Sequence, residues 1–279
     1  MDWTWAGPPI DARPLFPLER AELISLLRSL DGGDWQRATV CPDWSVHDIV
    51  AHIAHDYLRK LARTRDGYLS QGPRPGEDLP AFLHRLNQEF VDVAAAWSPQ
   101  ILIDLIDHLG PQLDLLWVNM DLDQLGEAVS WAAPGVSAPV WLDIAREYSE
   151  FWVHQQQIRD AVARPGANEE RLTAPVIDAF LRAVPYALRD VPADPGSGVE
   201  ITVSGPGGGT WNTRLGETGW AISRGPAREA AHAKVVVSSD TLWRVATRGI
   251  GVPDACARAT ISGDQALGAA ALSLISIIR

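Results

Sequence analysis

The sequence predicts an α plus α+β protein: an N-terminal four-helix bundle followed by a smaller C-terminal antiparallel-sheet α+β domain. Three observations predict it. Through the first half, apolar residues recur at three- and four-residue intervals, the period of an amphipathic helix. Beyond residue 198 the pattern changes to short alternating or β-branched runs separated by Gly, Pro and Asn. The change of character falls at Arg164-Pro165-Gly166-Ala167-Asn168, so residues 1–168 are assigned to the helical domain and 169–279 to the α+β domain.

In the first helix, over 17–30, Leu18, Leu23, Leu26, Leu27 and Leu30 form one stripe, and Gly32-Gly33 is expected to terminate it. Ser45 with Asp48 three residues on resembles a capping box and starts a second helix expected to reach Leu69. Helical periodicity returns over 79–96 and 99–122, with an interruption expected at Gly110-Pro111. The helix from Pro139 to Ala163 turns Trp141, Ile144, Ala145, Tyr148, Trp152 and Ile158 to the core. After a helical stretch over 174–188, VEITVSG, GTWNTRLG, GWAISRG and AKVVVSS read as strands, and helices are expected over 239–248 and 264–277.

Composition excludes several classes. The formal net charge of −11, without clustered Lys and Arg, argues against nucleic acid and acidic lipid as partners. Two cysteines, Cys41 and Cys256, give neither a disulfide framework nor a metal knuckle, which fits a reducing cytoplasm. No basic and apolar leader and no long apolar run is found, so no membrane span is expected. Most of the twelve tryptophans are expected in the core.

The chemistry concentrates in two helical segments. Glu150 and His154 are four residues apart, so they share a helix face and can close on one ion. A third ligand from the helix after Ser45, His52 or its rival His55, would give two imidazoles and a carboxylate, the ligand count of a catalytic rather than a structural zinc site. The bland alternatives are a surface ion pair and buried structural histidines. His47, in the first turn of its helix, is expected to be neutral and solvent-facing. The sequence shows no base beside Cys41, which argues against a nucleophilic role. Ser204-Gly-Pro-Gly-Gly-Gly209 lacks the Lys-Ser/Thr ending of a phosphate loop and reads as a hairpin turn. Arg244 and Arg248 can grip a carboxylate, although surface helix arginines are common.

Two stretches together, Thr39-Val-Cys-Pro-Asp-Trp-Ser-Val-His-Asp-Ile-Val-Ala-His52 and Arg146-Glu-Tyr-Ser-Glu150-Phe-Trp-Val-His154, resemble the mycothiol-dependent maleylpyruvate isomerase family, whose N-terminal bundle is DinB-like. The segment from Gly198 through Asp264 is similar to the sterol-carrier-like second domain of that family. The resemblance implies His52, Glu150 and His154 as ligands of a divalent metal, normally zinc. It implies mycothiol as the thiol cosubstrate, a small electrophile as the other partner, and isomerisation or S-transfer as the reaction. It also implies a catalytic arginine in the second domain, for which Arg248 is the candidate. Gln157 departs from the Asp common in relatives three residues after the last ligand, which bears on the second shell of the site. A non-catalytic small-molecule-binding protein on this fold, or a metal-assisted hydrolase, is the alternative.

Overall fold

The computed structural model describes residues 3–69, 71–135 and 137–276, which group into two compact units. The helical unit comprises residues 13–120 and 150–167; the sheet-bearing unit draws on 3–12 and 121–149 as well as 168–276, so neither is one continuous stretch of chain.

In the helical unit, α1 (Phe16–Arg28) ends at Ser29, ahead of the two glycines expected to stop it. Those glycines instead open a short helix, α2 (Gly32–Trp35), because Asp31 and Asp34 form a reciprocal capping box around its first turn. The Ser45–Asp48 capping box forms as its spacing suggests and starts α3 (Val46–Lys60). This helix stops short of Leu69: over Leu61–Arg65 the backbone widens into a π-type turn. Next come α4 (Leu79–Ala94), capped by Asp78, and α5 (Pro99–Val118), capped by Ser98.

The expected break at Gly110-Pro111 does not occur, and α5 runs through it. Packing explains the glycine. Arg20 of α1 lies directly over Gly110, where any Cβ would collide with its guanidinium, and reaches Asp114 one turn on with a 2.9 Å bond from Nη1 to Oδ1. Phe16 and Trp117 (5.6 Å between rings) and Tyr57 and Phe151 (4.9 Å) fill the interior of this unit.

The sheet-bearing unit starts with a small antiparallel pair, β1 (Leu125–Ala128) and β2 (Ser137–Pro139). The chain then enters α6 (Val140–Val162), a single helix whose residues from Glu150 on belong to the helical unit. It continues through α7 (Glu170–Leu181), α8 (Val184–Leu188), β3 (Gly198–Ser204), β4 (Gly209–Gly216), β5 (Gly219–Arg224) and β6 (Ala233–Ser238). α9 (Ser239–Ala246), α10 (Val252–Arg258), β7 (Thr260–Gly263) and α11 (Gln265–Ala271) complete it. The last of these is shorter than expected, and residue 277 of that expectation lies outside the described residues.

The four strands read from the sequence are present, and α10 and β7 are additions. Strand order is β5-β4-β3-β6-β7, antiparallel except for β3 beside β6, which is parallel. Alternation reveals which face of a strand is buried but not its neighbour, so the parallel pair was not legible. Val199, Ile201 and Val203 of β3 and Ala233, Val235 and Val237 of β6 are buried in register.

One buried cation organises this unit. Arg182 is fully buried; it pairs with Asp178 (2.9 Å), donates to the carbonyls of Ala6 and Pro8, and lies over the Trp141 ring. Gly7 takes a left-handed φ of 72° between them, where a Cβ would meet that guanidinium. Among the described residues, no helix is long and apolar enough to cross a membrane.

Glu19 is buried between α1 and α6, where Gln155 Nε2 donates to its Oε1 (2.6 Å) and to its backbone carbonyl (2.9 Å). Burial raises its pKa from 4.5 to about 7 against the opposing influence of Gln155, Arg20 and Arg159. A raised carboxyl pKa means that the folded state holds a proton the unfolded chain has released. Its contribution is complete below 4.5 and is lost as pH rises through about 7. The stability of Glu19→Gln should therefore gain on that of wild type as pH is raised across this window, by roughly 3 kcal/mol at most, measured by urea unfolding at several pH values.

Candidate metal centre

The site is assembled from α3 and the second half of α6, both in the helical unit. The Ser45 cap fixes where α3 begins and hence the direction in which His52, two turns later, projects. On α6 the four-residue spacing stacks His154 one turn from Glu150, as the sequence indicates. Glu150 Oε1 lies 3.1 Å from His154 Nε2 and 3.3 Å from His52 Nε2. All three donor atoms fall within 4.8 Å of one another, and the two imidazoles meet edge to face. Ligand atoms held about 2.0–2.1 Å from a tetrahedral zinc stand roughly 3.3–3.4 Å apart, so the 3.3 Å contact from Glu150 to His52 has the length of one edge of such a tetrahedron and the 3.1 Å contact to His154 is slightly shorter.

The proton on His154 is placed by its neighbour. Gln157 Oε1 lies 2.8 Å from Nδ1, and because an amide oxygen only accepts, Nδ1 carries the hydrogen and Nε2 is left facing Glu150. His52 Nδ1 is buried without a hydrogen-bond partner among the described residues. Burial is the largest influence on both Glu150 and His154 and opposes charge on each, but their mutual attraction outweighs it. The carboxyl is held well below its ordinary range, with help from His52, and the imidazole well above its own, with help from Cys41. The pair thus holds positive charge against a carboxylate, a place a cation can take.

Asp56 Oδ2 lies 3.5 Å from His52 Nε2, and Arg59 pairs with Asp56 Oδ1 at 2.9 Å. His55, the rival ligand, also comes within 4.8 Å of His52 and Asp56. It is stacked on Phe90 (4.5 Å), and burial drives its pKa down to about 4. The expectation for His47 is corrected: its ring is buried, with Nε2 3.0 Å from the carbonyl of Trp97 and the Trp35 ring beside it, because the chain ahead of α3 folds over it. His84 and His108 are exposed, and His232 Nδ1 accepts from the Gly198 N–H.

Two residues of the Thr39–His52 motif sit at the site in roles that the sequence reading does not assign them. Cys41 Sγ lies 3.3 Å from Gln157 Oε1, and the Trp44 ring is tilted against His52 at 5.2 Å. The signal for them was the turn chemistry of Cys41-Pro42-Asp43-Trp44, not their own reactivity. Arg244 pairs with Asp240 on α9. Arg248 is exposed in the sheet-bearing unit just past α9, in a left-handed conformation (φ 58°). The glycine-rich run 204–209 forms the β3–β4 turn, as expected.

Residues 16–159, just over half of the chain, match the family described as the mycothiol maleylpyruvate isomerase N-terminal domain. The chain belongs to that family. Its fold is also that of solved structures. The crystal structure of a histidine-to-alanine mutant of the mycothiol-dependent maleylpyruvate isomerase superposes with a TM-score of 0.52 at 15% identity, covering 90% of this chain and 91% of that one. A structure of the mycothiol-dependent maleylpyruvate isomerase gives 0.51 at 12% identity, with 84% and 86% covered. At such identities the likeness is one of fold, and it extends beyond the matched N-terminal region. No curated protein matches the sequence.

The Ser45 hydroxyl caps the first turn of the helix that carries His52. Ser45→Ala should cost this family member about 1 kcal/mol, visible as a lowered midpoint in chemical denaturation.

Proposed function

We propose that this chain is a metal-dependent enzyme that activates a low-molecular-weight thiol, mycothiol by family, toward a small electrophile, with His52, Glu150 and His154 holding a divalent ion, zinc by preference. The observation that carries the reading is the convergence of both imidazole Nε2 atoms on the single oxygen Glu150 Oε1. Two nitrogens and one carboxylate oxygen leave a tetrahedral ion one open position, the arrangement of a catalytic site. Zinc bound there would favour the thiolate over the thiol and so supply a nucleophile at neutral pH.

The chain's own residues set the terms of that chemistry. Glu150 brings one negative charge, Asp56 is balanced by Arg59, and Gln157 is neutral, so a dication at the trio keeps a net positive charge that suits an anionic sulfur. Gln157, by accepting from His154 Nδ1–H, keeps that ring in the tautomer whose Nε2 faces the site. We assign Arg248 to the substrate, as partner for a carboxylate. Its left-handed backbone supports this: the position after a helix that glycine normally fills is occupied by an exposed arginine at some conformational cost, which points to a use for the side chain. Addition of sulfur to a conjugated double bond, rotation and departure would be isomerisation; retention of the sulfur would be S-transfer. In chain order, the accompanying assignments are 1–168 as the metal-binding domain, although 3–12 and 121–149 of that stretch lie in the sheet-bearing unit, 169–279 as the sterol-carrier-like domain, and the cytoplasm as the location.

Elemental analysis of the purified protein should find about one zinc per chain, and His154→Ala should lose it. Equal trace metal in both would overturn the reading. With mycothiol and a panel of electrophiles, wild type should consume thiol or isomerise the electrophile catalytically. Stoichiometric binding without turnover would favour a binding protein, and turnover without thiol a hydrolase. Arg248→Gly should lose most of the turnover while its melting temperature holds or rises, because glycine relieves the left-handed backbone.

A further inference from the structure

The turn that leads into α3 touches both histidines of the trio. Pro42 and a left-handed Asp43 (φ 66°) form the central pair of a turn closed by a bond from Trp44 N–H to the Cys41 carbonyl (3.2 Å), the pattern of a type II turn. Thr39 locks it: its hydroxyl donates to the Trp44 carbonyl (2.8 Å) and accepts from the Cys41 N–H (3.1 Å). A bridge between Ala38 and Ser45 fastens the turn to the start of α3.

What the turn presents is specific. On one side, the Trp44 ring lies against His52, and its indole N–H is anchored on Gln88 Oε1 of α4 at 3.0 Å. On the other, Cys41 Sγ–H and His154 Nδ1–H converge on the same acceptor, Gln157 Oε1. The Gln157 oxygen is thereby fixed from two directions. Without the thiol, the bond with His154 Nδ1 alone would orient the Gln157 oxygen.

We infer that the Thr39–Trp44 turn orients both imidazoles of the metal centre, with Cys41 acting on His154 both directly and through Gln157 and Trp44 acting directly on His52, so that Cys41, Trp44 and Gln157 are positioning residues for metal binding. The inference rests on the proposed metal site. Outer-shell partners of a ligating histidine contribute about 10–100-fold in metal affinity, and a ring that must be re-oriented on binding loses that advantage.

The test measures zinc affinity of the full chain by competition with a chromophoric chelator, together with the visible absorption of the cobalt-loaded protein, which reports ligand geometry. Cys41→Ala, Trp44→Leu and Gln157→Leu should each bind zinc about 10–100-fold more weakly and shift the cobalt bands. Gln157→Glu, which keeps an acceptor for His154 Nδ1–H, should bind at least as tightly as wild type, and Cys256→Ala should be unchanged. Cys41→Ser retains a hydroxyl donor and should fall between wild type and Cys41→Ala, giving a milder variant that reads the same contact should Cys41→Ala fail to fold.

Wild-type affinity and an unchanged cobalt spectrum in Cys41→Ala and Gln157→Leu would overturn the inference. So would an equal loss in Gln157→Glu and Gln157→Leu, since packing rather than the acceptor would then be at work. A wild-type protein that binds no zinc would instead defeat the metal reading itself, so the two failures are distinguishable.

Discussion

Burying two imidazoles and bringing them to one carboxylate is the constraint on which the helical unit depends. Ionisable groups removed from water are tolerated only when each meets a partner of opposite character, and here Glu150 Oε1 serves both His52 and His154. That shared acceptor sets how α3 lies against α6. Immediately beside it, Phe151 touches Phe16 and Tyr57, so the apolar centre continues directly from the polar one. On the next turns of α6, Gln155 holds Glu19, and Arg159 donates to Gln155 Oε1. One helix thus presents a polar ladder to α1 and α3 in turn, and its register is set by several contacts together.

The sequence made much of this legible because its signals were local. Four-residue spacing is enough to put Glu150 and His154 on one face, and Ser45 with Asp48 is enough to start α3. The strands from Gly198 to Ser238 follow from alternation between turn residues, with boundaries displaced by a residue or so. What escaped depended on partners distant in sequence. Gly110-Pro111 reads as a breaker until Arg20 is seen lying over Gly110. His47 reads as a surface residue until the Trp97 carbonyl is found beside it. The parallel pairing of β3 with β6 depends on how the chain returns to the sheet, which alternation does not encode.

Within the site, the difference between what was read and what was missed has the same origin. Ligand types declare themselves by chemistry, and the order of the motifs carries the family resemblance, which the match over 16–159 establishes. Cys41 has no base beside it in the sequence, whereas in the fold its Sγ meets the Gln157 amide 116 positions along the chain and interacts with His154 as well. No spacing rule announces contacts across such a separation. His55 illustrates the converse: equally plausible as a ligand by spacing, it is stacked on Phe90, a residue of α4.

Arg182 gives the opening residues an unexpected standing. Lacking any strand and holding only one short helical turn, residues 3–12 look dispensable, yet the carbonyls of Ala6 and Pro8 are two of the acceptors of a guanidinium sealed away from water. Trimming that stretch would leave Arg182 paired with Asp178 but stripped of two carbonyl acceptors, at about 1–3 kcal/mol for each bond lost, a sizeable part of the margin by which a domain stays folded. The amino-terminal strap is therefore an integral piece of the sheet-bearing unit, held by a charge donated from α7's own end, and a shortened or processed form of this polypeptide would forfeit far more than ten residues' worth of surface.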